Sequence, residues 1–220
     1  MKKVLCLVAL LVLIGGCGGS RPAPAWFASG HQQLETFKTD FLTGRATLIV
    51  ETHFQKAVEE IKKGGDLDLL GKAWLTRMAL QRAVLEEMEE TEIRKIEAAQ
   101  AVPANDNFHR FLAGDPRTDA SLLPAPYQPF LAALQGGNAQ AAAAAVAGID
   151  DPLSRLIAAG LALQGHLETE ALLQRAVETA SQNGWKRALL AWLKRQASFY
   201  EASGEAANAA AVRQRIALIQ

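Results

Sequence analysis

The residues able to do chemistry in this 220-residue chain are few and scattered. Its two cysteines, Cys6 and Cys17, are too few for a disulfide scaffold. The four histidines are His31, His53, His109 and His166, and no two share a helix face at i,i+3 or i,i+4 spacing. No HExxH or comparable ligand spacing occurs, so no metal site and no cofactor are expected. Gly71-Lys72 is the nearest approach to a phosphate loop. It lacks the glycine five residues earlier, where Asp66 stands, and Ala73 replaces the hydroxyl that would hold Mg²⁺. Glu86, Glu87, Glu89, Glu90 and Glu92 form a carboxylate run. General acid–base work needs a partly apolar pocket around such groups, whereas this run reads as a solvated face. No catalytic residue is expected.

Composition narrows the class. With 23 basic and 23 acidic side chains, the chain lacks the basic excess of a nucleic-acid binder. At 50% hydrophobic residues it has enough apolar surface to build a core, which argues against disorder.

The N-terminus carries an address. Lys2 and Lys3 precede an apolar run from Val4 to Ile14, which is shorter than the roughly 20 residues a spanning helix needs. Ile14-Gly15-Gly16 then leads into Cys17. The arrangement resembles the lipobox of bacterial lipoproteins, with residues 1–16 as the signal peptide. That resemblance implies a diacylglycerol on the Cys17 thiol, cleavage before it and acylation of the new amine. Cys6 would leave with the signal, and so would Lys2 and Lys3. Gly18, where retention in the inner membrane would call for Asp, implies the periplasmic face of the outer membrane. Acyl chains contribute about 0.8 kcal/mol per buried CH₂, so several together anchor stably. Residues 17–29 read as the lipidated cysteine and a Gly/Ser/Pro-rich tether. Trp26 and Phe27, near its end, either pack on the first helix or dip into the lipid interface.

From Gly30 onward the periodicity is helical, with no strand alternation. Residues 30–100 form an N-terminal helical part. Leu34, Phe37 and Phe41 define its first helix, and Val50, Phe54, Ala57, Val58 and Ile61 the second. A third starts at the N-cap Asp66 and steps through Leu67, Leu70, Trp74, Met78, Gln81, Leu85 and Met88, while Ala73, Leu80 and Val84 widen its apolar face. Five of the eight prolines lie between 101 and 129. Residues 101–126 therefore read as a Pro-rich connector holding a short helix around Phe108, Phe111 and Leu112. Residues 127–220 form a C-terminal helical part punctuated by glycines. Its clearest helix runs from Trp185 to Tyr200, and a last one buries Ala209, Val212, Ile216 and Ile219.

Helix pairs with a glycine turn and small residues at their crossings resemble tetratricopeptide-like repeats. The closest stretch is Leu193 to Ile216, with Gly204 at the turn and Leu193, Ala197, Tyr200 and Ala209 at the packing positions. Residues 34–57 fit with Gly44 one place early, and Ala171–Glu178 echoes a second helix after Gly165. The glycine steps Gly137, Gly165 and Gly204 are 28 and 39 apart, away from the family's regular period of about 34. The resemblance implies an all-α fold of stacked antiparallel helix pairs wound into a superhelix. It also implies that Lys194, Ser198 and Glu201 face a binding groove. The sequence thus suggests a lipid-anchored, non-enzymatic envelope scaffold that docks a protein or peptide, as subunits of assembly, secretion or pilus machinery do. The alternative is a peptidoglycan-related enzyme or small-ligand binder with a cleft between the two helical parts.

Overall fold

A computed structural model describes residues 24–220. The expected signal peptide, the expected lipidation site Cys17 and the expected tether as far as residue 23 lie outside the described residues. Among those described, every regular element is helical. The order is α1 (Ala25–Thr43), α2 (Thr47–Lys62), α3 (Leu67–Ala83), α4 (Thr91–Ala99), α5 (Pro103–Ala113), α6 (Gln128–Gln135), α7 (Ala139–Ala147), α8 (Pro152–Gln164), α9 (Glu170–Gln182), α10 (Lys186–Ala202) and α11 (Ala206–Ile219). None is long and apolar enough to cross a membrane.

Local chemistry explains most of these boundaries. Gly44 ends α1 at φ 79°, a left-handed conformation in which glycine has no Cβ to clash. The chain then folds back, and α2 packs along α1 with Phe37, Phe41, Phe54 and Ala57 buried between them. Asp66 caps α3, its carboxylate accepting from Leu69 N at 3.0 Å. Asn138, Asp151 and Thr169 cap α7, α8 and α9 in the same way. Gly204 turns α10 into α11 at φ 77°, with Leu193, Ala197, Tyr200 and Ala209 buried around the hairpin.

Three expectations change. Residues 25–29, expected to belong to a tether, are helical, because α1 already begins at Ala25. Its Trp26 indole lies over Gly64, beyond the end of α2, so closely that a Cβ on Gly64 would overlap the ring. Phe27 stays 41% exposed. The stretch 101–126 holds the expected short helix as α5, which starts on Pro103 in the first turn, where a missing N–H costs nothing, but it is not a bare connector. Phe111 and Leu112 carry α5 into the same hydrophobic cluster that runs from Phe37 to Leu193, so this segment is packed into the fold. Finally, α3 stops at Ala83 and does not continue to Met88. Leu85 adopts φ 60° and residues 86–90 leave the helix axis.

Remote contacts hold the ends together. α3 packs on α8, and α1 on α10. In a solenoid each unit touches only its neighbours, so these crossings are additional to the helix pairing. At the α3–α8 crossing Gly160 lies against the Arg82 backbone, where a Cβ would overlap the Arg82 carbonyl oxygen. Arg187 of α10 bonds both carboxylate oxygens of Glu86, at 2.8 and 2.7 Å, and lies 3.9 Å above the Phe41 ring.

Candidate functional site

An open hollow of about 730 Å³ lies where α3 and α8 end beside each other. Leu85, Met88 and Leu163 supply apolar surface, and Glu86, Glu87 and Glu90 stand on the segment that follows α3. His166 and Arg195 also line it. Arg195 is held by Glu168, its Nε donating at 2.6 Å.

Both helices end in the same unusual way. Leu85 (φ 60°) and His166 (φ 57°) are the non-glycine residues of the described chain with positive φ, and both line this groove. At α3, Glu86 N donates to Gln81 O at 2.9 Å, and at α8, Leu167 N donates to Ala162 O at 2.8 Å. These are the closing bonds of a Schellman turn, which normally places glycine in the left-handed position. An L-residue there costs about 1–2 kcal/mol. At α8 the neighbouring Gly165 does not take that position, because its φ is −78°. The strain falls on the residue whose side chain faces the groove.

The end of α5 meets the other two. Arg82 Nη2 donates to Leu112 O at 3.0 Å and Gln164 Nε2 to Ala113 O at 2.8 Å. Three helix C-termini, each a partial negative charge, therefore converge here. Burial pulls the Arg82 guanidinium below its ordinary value, with Glu90 opposing that shift, and its Nε is buried without a partner. A further hollow of about 320 Å³, lined by Leu131, Leu134 and Leu161, adjoins across Gln164.

A separate charged hollow of about 320 Å³ opens between α4 and α5. His109, 7% exposed, lines it, and its Nδ1–H donates to Glu97 Oε1 at 2.7 Å. Its Nε2 lies 3.7 Å from Glu90 Oε2, beyond hydrogen-bond reach. Arg94, Arg110 and Arg117 stand around it. No serine, threonine, tyrosine or cysteine lines any of these three hollows.

The residues singled out from sequence lie elsewhere. Lys194, Ser198 and Glu201 are on α10 and line a recess of about 260 Å³ against α11, with Arg213 and Ile216. Glu201 is paired with Arg213, and the Ser198 hydroxyl donates to Lys194 O at 3.2 Å. The recess shares no residue with the large groove. Gly71-Lys72 sits within α3, with Lys72 bound to Asp68 at 2.7 Å. Of the carboxylate run, Glu86, Glu89, Glu90 and Glu92 pair with Arg187, Arg77, Arg94 and Lys95. Sequence reasoning missed Leu85 and His166 because neither is a residue type that marks a turn. His109 and Glu97 were missed because they meet only when α4 packs beside α5.

No known protein family, curated protein or solved structure matches this chain.

Proposed function

We propose that this protein is a lipid-anchored, non-enzymatic scaffold of the bacterial cell envelope, held at Cys17, whose helix pairs dock a protein or peptide in the groove between α3 and α8. The anchor rests on the basic start, short apolar run and Ile14-Gly15-Gly16-Cys17 ending of the sequence. The docking role rests on one observation above all. Both strained non-glycine residues line one open, part-apolar groove, and strain of this kind concentrates at functional sites. Tetratricopeptide-like pairing remains part of the proposal, carried by the α1–α2 and α10–α11 hairpins.

The alternative of a small-ligand binder draws on the charged hollow between α4 and α5, which has the convergent polar groups such sites use.

A photo-crosslinking residue at position 87, compared with one at the exposed Asn208, tests the proposal in cells. One discrete adduct is expected at position 87, absent at 208 and lost when Cys17→Ser removes the anchor. Equal labelling at both positions, or none from an abundant folded protein, overturns it.

A further inference from the structure

The hollow between α4 and α5 contains polar groups that the protein itself leaves unmatched. Asp106 Oδ1 and His109 Nε2 are both buried without a hydrogen-bond partner. With Nδ1–H committed to Glu97, the neutral imidazole offers Nε2 as a lone-pair acceptor. Both atoms therefore call for a donor. Arg110 stands one turn beyond Asp106 on α5, lines the same hollow, and joins no ion pair among the described residues. Asp106 and Arg110 have the i,i+4 spacing at which helical ion pairs close, yet no bond connects them. The remaining charges are matched: Arg94 with Glu90, and Arg117 with Asp115 at 2.6 Å.

The wall thus has one buried carboxylate oxygen and one buried imidazole nitrogen without partners, beside the exposed Arg110 guanidinium, whose charge also acts on Asp115. We propose that this hollow binds a small zwitterion of the α-amino-acid class, its ammonium donating to Asp106 and His109 Nε2 and its carboxylate accepting from Arg110. The volume of about 320 Å³ accommodates such a molecule. A simple anion would leave Asp106 and His109 without donors, and a simple cation would bring no partner to the exposed Arg110. Buried acceptors left without partners carry the full desolvation penalty, so a ligand ammonium that donates to both is favoured, and a carboxylate on the same ligand adds a charge-assisted bond to the exposed Arg110. Access to Nε2 requires the Glu90–Arg94 pair to move. Arg94 is 68% exposed, and exposed ion pairs of this kind hold side chains only weakly. This site shares Glu90 and Ala113 with the docking groove and does not depend on the lipid anchor.

The test is titration of the full chain with glycine, L-alanine and L-lysine, against acetate and methylammonium as the two halves, following the His109 ring resonances by NMR. Saturable movement of those resonances with at least one amino acid is expected, with each half binding at least about tenfold more weakly. Arg110→Gln, an exposed substitution that leaves the core untouched, weakens the amino acid about tenfold or more. Asp106→Asn does the same while circular dichroism stays unchanged. The proposal is overturned if no amino acid moves His109, which would leave ordered water as the partner of these atoms. It is also overturned if acetate or methylammonium matches the amino acids, or if Arg110→Gln binds as the parent does.

Discussion

The buried Trp192 indole donates its N–H to the Ala83 carbonyl at 2.9 Å, across 109 residues of chain. Ala83 is the last helical residue of α3 and Trp192 lies in the middle of α10. This bond satisfies a carbonyl that the helix end leaves open, and it fixes α10 against the point where the chain turns into the groove.

Trp192→Phe keeps an aromatic ring but orphans the Ala83 carbonyl and leaves a small cavity. We expect a loss of about 2–4 kcal/mol in urea unfolding, because the desolvation penalty and the lost packing add.

Gly160→Ala tests the α3–α8 crossing. Alanine is the better helix former by about 1 kcal/mol, so an unconstrained site would gain. Here the methyl would overlap the Arg82 carbonyl oxygen, a backbone atom that cannot rotate away. The expected result is a net loss of about 3 kcal/mol as the helices are forced apart, read from the urea midpoint, with a reduced yield of crosslink at position 87.

His166→Gly should act in the opposite sense. Glycine relieves the left-handed strain at φ 57°, and because His166 is exposed little packing is lost. A gain of about 1 kcal/mol follows, equivalent to a rise of about 2–4 °C in Tm. A stabilised variant that docks its partner less well would show that the strain serves the groove.

Acid stability carries a signature at Asp115. Arg117, through side-chain and then backbone hydrogen bonds, holds this carboxyl at about 2, against 3.8 unperturbed. A folded-state value below the unfolded one gives stability that is present above pH 3.8 and lost as pH falls toward about 2. Thermal melts of Asp115→Asn should therefore fall off less steeply than the parent across that window. Buried Tyr127 sets the alkaline side. Desolvation pushes its phenol up to about 12 from 10.0, so its contribution is complete below pH 10 and disappears as pH rises through about 12.

Glu87 is the member of the carboxylate run that makes no ion pair among the described residues, and it lines the groove. Together with three helix C-termini it gives this wall a negative potential. Glu87→Lys should leave Tm unchanged and reduce crosslinking of the partner from a reporter at position 163. An unaltered yield would show that charge on this wall plays no part in docking.

Much of the fold was legible in the residues. Period-3.6 spacing placed Phe37, Phe54, Met78, Trp192 and Leu193 on buried faces, and all are at most 1% exposed. Asp66 and Gly44 punctuated the helices because caps and left-handed turns are local chemistry, set within four residues of chain. The groove was not legible. Leu85 belonged to the apolar rhythm of α3, and nothing near it signals a stop. The helix ends there with Trp192 holding the Ala83 carbonyl and Gly160 admitting the Arg82 backbone.

Sequence by itself determined that the described chain is helical, where α3 and α10 start, and which faces are apolar. Those properties depend on residues a few positions apart, whose interactions survive in any packing. The tertiary structure alone decided that α3 breaks at Ala83, that three helix C-termini meet, and that His109 stands between Glu97 and Glu90 with a partnerless Asp106 oxygen beside the exposed Arg110. Each of these needs side chains from distant segments to occupy the same space, and no periodicity along one helix encodes that meeting.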